Sequence, residues 1–417
     1  MGERSRVFVT GMGCLSGLGQ GIEANWSAAI AGRDATRPFQ RLKSDGWAAD
    51  VSGVAAWMET PDTSAFAGRF NALLLGQMDP VSQYAVFAAF EALDGAGLLD
   101  RPDLISRSAV VVGCGGGGLT TLEHAYVRLG GGGRNAHPLT VARMMPSAPA
   151  SQVSMVFGAR GPAFAIASAC ASSSHAIAEG AEMVAGGRVE MAIVGGAEAV
   201  LTAGNWLAWQ GLRVMAQERC RPFSTGRDGL VLGEGAGVLV LESETHARAR
   251  GAPIRGEILS SGATADAHHI TQPGGAQAAN AIRQALDGGR LSARDPVLIS
   301  THGTGTLAND RAEAEALREV YGETLGACLV IATKSAHGHL LGAGAALELI
   351  LGLLALERQL APPVLNHLGP DPSCDLPLAL KVPTAAPYQI LISNAFAFGG
   401  LNSVIAASRA PPSTRQE

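Results

Sequence analysis

The amino-acid sequence predicts an α/β fold with mainly parallel strands, organised as two α/β halves that share one core. Short apolar runs rich in β-branched residues alternate with longer alanine-rich stretches along nearly the whole chain, which is typical of strand–helix–strand units. The alternation occurs on both sides of a charged, glycine- and proline-punctuated stretch near residue 250. Glycine accounts for 54 of 417 residues and charged residues for only 16%, so the backbone is expected to pack in close layers.

Each predicted strand is a short apolar run, and each predicted helix is a longer stretch between such runs. In chain order the strands are RVFVT, SAVVVG, AFAIAS, MAIVGG, GVLVLE, PVLIST, CLVIAT and QILIS. The helices span Pro80–Ala96, Ser172–Ala185, Ala276–Leu286, Arg311–Tyr321 and Leu340–Glu357. The last of these contains the longest apolar stretch, but Glu348 interrupts it and it is too short to span a membrane. We therefore expect a buried core helix in which Glu348 needs a partner.

Composition excludes several classes of protein. The net charge of -5 gives no electrostatic reason to bind nucleic acid. Six scattered cysteines without a CxxC pair argue against a disulfide framework and against a structural zinc site. The first residues, MGERSR, run directly into a strand without the pattern of a signal peptide. We expect a cytoplasmic protein with reduced thiols and no membrane span.

The glycine-rich stretches carry little functional information. The glycines between Val9 and Gly19 do not have GxGxxG spacing, and those at 113–118 and 130–133 lack the Lys-Ser/Thr of a phosphate loop. We interpret all three stretches as tight backbone turns.

Four strand ends hold residues that could take part in catalysis or binding, at the edge of the sheet where ligands of parallel sheets bind. Cys170 follows the strand AFAIAS and precedes a helix, and a helix amino terminus favours the thiolate of a nucleophilic cysteine. The alternative interpretation is a small buried hydrophobic residue, which is the usual role of a free cysteine. His302 lies in the glycine- and threonine-rich loop after PVLIST.

The other two strand ends carry basic and aromatic residues. Lys334, His337 and His339 follow CLVIAT, while Phe396 and Phe398 precede paired glycines after QILIS. Two histidine loops beside glycines favour a site over a structural role, and the phenylalanines fit an apolar gate on a mobile loop. One cysteine with two histidines indicates covalent thioester chemistry in which imidazoles polarise a carbonyl. A metal site is not expected, because these loops lack acidic or cysteine ligands at suitable spacing.

Together, the motifs SAC, HGTGT, TKSxxGH and AFxFGG resemble those of the β-ketoacyl-acyl-carrier-protein synthases, elongating condensing enzymes of the thiolase superfamily. The resemblance extends from RVFVTGMG to FGGLN and is closest to the nodulation-type and polyene-type ketosynthases. It implies a five-layered αβαβα thiolase fold, with the nucleophile in residues 1–250, both histidines in residues 251–410 and a disordered tail at 411–417. It also implies decarboxylative condensation of malonyl-acyl carrier protein with an enzyme-bound acyl chain, as in fatty-acid or polyene and polyketide elongation.

The resemblance implies a role for each matching residue. Cys170 corresponds to the acyl-accepting nucleophile, and His302 and His339 to the histidines that act on the malonyl unit. Lys334 and Glu348 correspond to the lysine near the second histidine and the glutamate on the following helix. His337 lies outside the family pattern.

Further residues correspond to the path of the substrate. The backbone N–H of the gating residue Phe398 would join that of Cys170 in an oxyanion hole. The remaining expectations are Thr271, Thr304 and Thr306 on the pantetheine arm, Gly116, Trp209 and Phe396 in the acyl pocket, and Arg213 at the carrier-docking surface. Gly116 and Trp209 stand where relatives commonly carry Ile and Phe, so the acyl tunnel is expected to be reshaped.

The expected partners are an acyl carrier protein and either a second copy of the chain or a chain-length-factor-like subunit. No cofactor is expected, because phosphopantetheine arrives on the carrier. Four alternatives are a non-catalytic interaction subunit, a degradative thiolase, a chain-initiating synthase and a Rossmann dehydrogenase. The first would lack Cys170, the second would carry cysteine near Phe398, the third would have Asn in place of His339, and the last rests only on weak glycine motifs.

Overall fold

A computed structural model describes residues 4–64 and 70–411, and its strands and helices alternate as predicted. The predicted tail at 411–417 lies outside the described residues except for Pro411. In chain order the strands are β1 (Val7–Ser16), β2 (Gly19–Gln20), β3 (Arg37–Arg41), β4 (Val51–Ala55), β5 (Ala109–Gly113), β6 (Ala163–Ile166), β7 (Met191–Glu198), β8 (Gly235–Ser243), β9 (Gly256–Ala265), β10 (Leu298–Ser300), β11 (Leu329–Ile331), β12 (Leu360–Ala361), β13 (Thr384–Ala385), β14 (Ile390–Ala397) and β15 (Leu401–Arg409).

The five predicted helices are present with small shifts of their ends. The α-helices are α1 (Ile22–Ile30), α2 (Ala72–Gly76), α3 (Pro80–Gly95), α4 (Pro102–Ile105), α5 (Leu119–Gly130), α6 (Thr140–Met144), α7 (Ala148–Phe157), α8 (Ser172–Ala185), α9 (Ala203–Leu212), α10 (Glu244–Ala249), α11 (Gly275–Gly288), α12 (Leu307–Tyr321), α13 (Lys334–His337) and α14 (Gly344–Arg358). Among the described residues, no helix is long and apolar enough to cross a membrane.

The main sheet is built from two halves with the same topology. Its order is β11-β10-β14-β15-β9-β1-β8-β7-β5-β6, with β2 paired to β1. In each half three strands are parallel, β6, β5 and β7 or β11, β10 and β14, and two more follow in antiparallel pairing, β8 and β1 or β15 and β9. The prediction of mainly parallel strands is therefore wrong for the centre of the sheet.

The two halves meet where β1 pairs with β9 over a short register, from Val7 opposite Ile258 to Val9 opposite Gly256. The predicted boundary at residue 250 stays a prediction, because this pairing joins both halves in one continuous sheet. Of the long strands of the main sheet, β9 and β15 were not predicted, and neither were the shorter strands β2, β3, β4, β12 and β13. Both long strands contain several alanine and serine residues, which weaken the β-branched signal of a strand.

The helices form the outer and central layers. α3 and α7 pack on the outside of the first half, α11 and α12 on the outside of the second, and α8 and α14 lie between the halves. α14 is buried on all sides from Gly344 to Leu356, as expected for a helix that is apolar all round. It begins four residues later than predicted, because a 3-10 turn at Leu341–Ala343 precedes it.

Glycines of the first predicted turn lie instead inside β1. A Cβ atom added to Gly11 would lie 2.0 Å from the carbonyl oxygen of Ala92, and one added to Gly13 would lie 2.2 Å from that of Ala88. These glycines therefore let α3 approach the strand closely. The interpretation as a turn is therefore wrong for Gly11 and Gly13, which serve packing between layers, and confirmed for Gly17, which lies in the turn between β1 and β2.

Candidate active site

Cys170 lies on a constrained turn between β6 and α8. The preceding residue, Ala169, has a φ of 49°, a left-handed conformation that costs a non-glycine residue about 1–2 kcal/mol. Ser172 holds the turn, since its Oγ accepts a hydrogen bond from the Ser168 N–H at 2.9 Å and donates one to the Ala169 carbonyl at 2.6 Å. The helix thus begins directly after the thiol, which is buried with 7% exposure.

His339 faces this thiol from the second half of the chain. Its Nε2 lies 3.1 Å from the Cys170 Sγ, and the backbone around it is fixed because the His339 N–H donates to the Val231 carbonyl at 2.7 Å. The next residue but one, Leu341, has a φ of 44°. Among the described residues the His339 Nδ1 has no hydrogen-bond partner, so only Nε2 is engaged.

His302 completes the pair of imidazoles. Its ring centroid lies 5.3 Å from that of His339, with the rings nearly perpendicular at 82°. The Lys334 Nζ donates to its Nδ1 at 3.3 Å, which leaves the proton of the neutral ring on Nε2. Lys334 in turn forms a buried ion pair with Glu348, the partner that this glutamate was expected to need.

Both histidines are neutral in this environment. Burial lowers the pKa of His302 and of His339 well below the ordinary value, and the positive charge of Lys334 lowers both further. Burial raises the pKa of Glu348 to about 7, and the attraction of Lys334 opposes this rise. The histidines therefore act as uncharged hydrogen-bonding groups at neutral pH.

The Cys170 thiol is protonated at rest, contrary to the prediction of a primed thiolate. Burial raises its pKa to about 12, although Lys334 and the backbone N–H groups of Phe398 and Cys170 favour the anion. Desolvation outweighs the helix terminus. The proton must therefore leave during attack, and the Nε2 of His339 is close enough to exchange it.

We expect alkylation of Cys170 by iodoacetamide to accelerate about tenfold per pH unit up to about pH 10, without a plateau near neutrality. The reason is that the reactive thiolate remains a small fraction until the pH approaches the raised pKa of about 12. The measurement is the alkylation rate followed by peptide mass, with Cys170→Ser to identify the site. A rate that is constant above about pH 8 would contradict this environment.

The thiol opens into a cavity of about 250 Å³. Nearly all residues that were predicted to contact the substrate line it. They are Cys170, His302, His339, Trp209, Arg213, Thr271, Thr304, Thr306, Phe396 and Phe398. Thr271 and Arg213 lie on its exposed rim, whereas the Oγ1 atoms of Thr304 and Thr306 lie 2.9 Å apart within it. Phe396 lies beside His302, with ring centroids 6.4 Å apart.

Gly116 does not line this cavity. Its N–H donates to the Oε1 of Glu198 at 2.9 Å, and an added Cβ would lie 3.0 Å from the Leu119 Cδ1 and 3.2 Å from Glu198 Oε1. The structure places Gly116 in a packed loop behind the thiol, and its role in an acyl pocket stays a prediction.

Sequence reasoning missed two buried glutamates that hold the loops of the site. Glu198 accepts hydrogen bonds from the N–H groups of Gly115, Gly116 and Gly342, at 2.9, 2.9 and 3.0 Å. It thereby ties the loop after β5 to the loop that follows His339. An acidic residue at the end of the apolar run MAIVGGAE was the signal that could have identified it.

The second glutamate is Glu313, on α12. It accepts hydrogen bonds from the N–H groups of His302 and Gly303, both at 2.8 Å, and from the Asn394 side chain at 3.1 Å. It therefore fixes the backbone that presents His302. The sequence signal that could have identified Glu313 was an acidic residue on a predicted helix, shortly after HGTGT.

The remaining histidines near the site have structural partners. His175 lies 2.8 Å from the Ser168 Oγ through its Nδ1. The Nδ1 of His337 is 2.7 Å from the Gly338 carbonyl and its Nε2 is 3.0 Å from the Thr333 Oγ1. Both support the loops that carry Cys170 and His339.

Cys170, His302 and His339 could chelate a metal by distance alone, because one ligand atom of each lies within 4.8 Å of the others. Spacing within single loops does not show this cluster, because the three donors converge from three separate loops. Charge opposes a cation here, because the Lys334 Nζ lies 3.3 Å from the His302 Nδ1 and would repel it.

A two-half α/β fold with a thiol, two neutral imidazoles and backbone N–H donors around one cavity defines a condensing enzyme of thiolase fold. Residues 4–247 match the family model of the β-ketoacyl synthase N-terminal domain, and residues 255–367 match that of the C-terminal domain. The chain belongs to the β-ketoacyl synthase family and is an acyltransferase.

Its relatives are ketosynthases and a nodulation protein. Nodulation protein E of Rhizobium meliloti (strain 1021) is 41% identical over 402 residues, covering 96% of this chain and 98% of the relative. 3-oxoacyl-[acyl-carrier-protein] synthase 2 of Staphylococcus aureus (strain COL) is 34% identical over 413 residues, covering 97% and 98%. The solved structure of the ishigamide ketosynthase/chain length factor superposes with a TM-score of 0.88 at 32% identity, covering 98% of this chain and 100% of that chain.

Proposed function

We propose that the protein elongates an acyl chain by decarboxylative Claisen condensation of malonyl-acyl carrier protein with an acyl group held on Cys170. The observation that carries the proposal is the 3.1 Å contact between the Cys170 Sγ and the His339 Nε2, beside a second neutral imidazole in the same cavity. Such a site suits a thioester and an enolate, because it offers a thiol nucleophile and uncharged hydrogen-bond donors for a developing oxyanion.

In the first half-reaction the Cys170 sulfur attacks the thioester of an acyl carrier protein. The new bond joins the sulfur to the acyl carbon, the bond to the pantetheine sulfur breaks, and the thiol proton moves through the His339 Nε2 to the leaving thiolate. The backbone N–H groups of Phe398 and Cys170 are the oxyanion donors, which is supported by the way both N–H groups lower the pKa of the Cys170 thiol and so favour negative charge beside them.

In the second half-reaction malonyl carrier protein occupies the cavity. Its carboxylate carbon–carbon bond breaks, carbon dioxide leaves, and the electron pair forms an enolate whose oxygen accepts hydrogen bonds from the Nε2–H groups of His302 and His339. His339 enters this half-reaction as the tautomer with its proton on Nε2, whereas in the first half-reaction its proton is on Nδ1. The carbanion attacks the acyl carbon, and the Cys170 sulfur leaves as a thiolate and takes up a proton from solvent. Lys334, paired with Glu348, keeps Nδ1 of His302 occupied, so Nε2 remains the donor.

Other residues of the cavity are proposed to contact the carrier protein, its pantetheine arm and the acyl chain. Thr271, Thr304 and Thr306 contact the pantetheine arm, and Arg213 contacts the carrier at the rim of the cavity. Trp209 and Phe396, which both line the cavity, form the acyl pocket. The reaction needs no resident cofactor. The six cysteines are buried free thiols, which supports the reducing cytoplasm as the location.

The test is to incubate the protein with acyl carrier protein that carries short saturated, long saturated or polyenoyl chains, and to measure the intact mass. We expect an adduct equal to the acyl group, mapped to Cys170, with the extent of labelling ranking the chains. Cys328→Ala is the matched control, because Cys328 is another buried free thiol, away from the cavity. The proposal fails if no chain gives an adduct.

A second candidate is the catalytic half of a heterodimer with a chain-length-factor-like subunit. The observation that favours it is the fit to the ishigamide ketosynthase/chain length factor structure. The alternative is a homodimer with the same chemistry. Co-purification from the native host decides between them, because the heterodimer requires a second, different chain in the purified complex.

A further inference from the structure

His337 is buried, and its two ring nitrogens have partners at opposite ends of α13. Its Nδ1 lies 2.7 Å from the carbonyl oxygen of Gly338, and its Nε2 lies 3.0 Å from the Oγ1 of Thr333. A carbonyl oxygen accepts hydrogen bonds and cannot donate them, so Nδ1 carries the proton and Nε2 accepts from the Thr333 hydroxyl. Burial and the charge of Lys334 lower the pKa of His337 to about 3, so this neutral tautomer persists at neutral pH.

The helix that carries His337 has little stability of its own. α13 is a single turn, closed by hydrogen bonds from the His337 N–H to the Thr333 carbonyl at 3.2 Å and from the Gly338 N–H to the Lys334 carbonyl at 2.9 Å. A helix of this length forms too few backbone hydrogen bonds to offset the cost of ordering it. The His337 ring therefore adds a side-chain bridge between the residue before the helix and the residue after it.

The hydrogen bond from His337 also holds the peptide group that leads into His339. The carbonyl of this peptide group, from Gly338, accepts from His337, and its N–H donates to the Val231 carbonyl at 2.7 Å. The following peptide group is held as well, because the His339 carbonyl accepts from the Gly233 N–H at 2.9 Å. Of these three contacts, the one from His337 is made by a side chain, so a substitution can remove it.

The direction of the His339 ring depends on this backbone. Among the residues that the structure describes, the His339 Nδ1 has no hydrogen-bond partner, so no contact at that nitrogen orients the ring. Gly338 has a φ of 70°, and glycine restricts its own backbone less than any other residue does. A hydrogen bond at the Gly338 carbonyl therefore supplies a constraint that the glycine itself lacks.

We propose that His337 is a positioning residue, whose hydrogen bond to Gly338 keeps the His339 imidazole in place against the substrate. The same ring ties the end of α13 to its beginning, where the Lys334 Nζ reaches the Nδ1 of His302 at 3.3 Å. One buried side chain thus sets the relative positions of the two imidazoles that are proposed to stabilise the enolate. The inference rests on the proposed function, since it concerns the rates of acyl transfer and decarboxylation.

The experiment compares two substitutions of His337 that differ in one hydrogen bond. In His337→Asn the amide nitrogen is attached to Cγ, as Nδ1 is in histidine, so it can still donate to the Gly338 carbonyl. In His337→Leu no donor remains and this buried carbonyl loses its partner. We expect the leucine variant to lose roughly 10²-fold in both rates, the order of loss caused by misplacing a reacting group by about 1 Å. The asparagine variant should recover most of this loss.

The rates are adduct formation from octanoyl-acyl carrier protein and carbon dioxide release from malonyl-acyl carrier protein. Their maximum values should fall in His337→Leu at unchanged half-saturating concentrations, because the residues proposed to contact the carrier and its pantetheine arm lie on other segments. Ser335→Ala is the matched control. Ser335 is also buried on α13, where its Oγ donates to the Ala332 carbonyl at 2.8 Å and accepts from the Leu365 N–H at 2.9 Å. This substitution should lower the thermal stability of the protein and leave both rates unchanged.

Wild-type rates in His337→Leu, or equally slow rates in His337→Asn, overturn the inference. An equal loss in Ser335→Ala also overturns it, because any loosening of α13 would then be sufficient, and so does a rise in the half-saturating concentration at an unchanged maximum rate. If His337→Leu does not fold, His337→Gln takes its place, since its amide reaches the position of Nε2 and leaves the Gly338 carbonyl without a donor. If the wild type forms no adduct, the proposed function itself fails, so the two failures are distinguishable.

Discussion

Replacement of Cys170 by glutamine is expected to abolish condensation while malonyl decarboxylation continues. Condensation should fall by about 10⁴-fold or more, the order of loss seen when a catalytic nucleophile is removed. The glutamine carbonyl can accept the backbone N–H of Phe398 in place of the thioester oxygen, so the site resembles the acylated state but offers no carbon to attack. His302 and His339 are untouched and still stabilise the enolate.

The measurement compares carbon dioxide release with 3-oxoacyl product for the same enzyme and substrate. Cys170→Ala is the comparison variant, because it removes the thiol without supplying a carbonyl. It should decarboxylate malonyl-acyl carrier protein more slowly than the glutamine variant does. Product formation by either variant above the uncatalysed rate would refute Cys170 as the acyl carrier.

Replacement of His339 by alanine is expected to impair both decarboxylation and condensation. Each should fall by roughly 10²–10³-fold, the loss typical of one hydrogen-bond donor to a developing oxyanion. The Nε2 that is removed also lies 3.1 Å from the Cys170 Sγ, so transfer of the acyl group to Cys170 should slow as well.

Three rates are needed to test this: adduct formation, carbon dioxide release and product formation. His339→Gln is the matched variant, because its side-chain amide keeps an N–H donor. It should recover part of the decarboxylation rate. It should recover less of the rate of acyl transfer, because that step needs a proton acceptor. Thermal unfolding of both variants checks that the fold is retained. Condensation at the wild-type rate in His339→Ala would remove this histidine from the mechanism.

The convergence of Cys170, His302 and His339 could be predicted from the sequence because each of them follows a strand end. Cys170 lies more than a hundred residues before the two histidines in the chain, yet the carboxyl ends of parallel strands meet at one edge of a sheet. The long strands β9 and β15 were not predicted, because their alanine and serine residues weaken the apolar signal of a strand. Their strand identity depends on neighbours in the sheet, which only the tertiary fold supplies.

The protonation state of Cys170 could not be predicted from the sequence. The expected thiolate at a helix terminus was wrong because the pKa of Cys170 depends on how completely the thiol is removed from water. The loop-holding role of Glu198 also depends on contacts between segments far apart in the chain. The stacking of Trp209 on Phe398, with ring centroids 5.8 Å apart, was likewise not predicted, although Trp209 had been placed in the acyl pocket and Phe398 at the gate.

The repeated topology of the sheet divides the labour of the reaction between equivalent positions. The end of β6 carries Cys170, and the matching strand β11 leads to Lys334 and His339. The end of β5 leads to glycines 115 and 116, and the matching strand β10 leads to His302. These equivalent positions carry different groups, a thiol in the first half and two imidazoles in the second. Neither half separated from the other would hold the complete set of groups that are proposed to react with the two substrates.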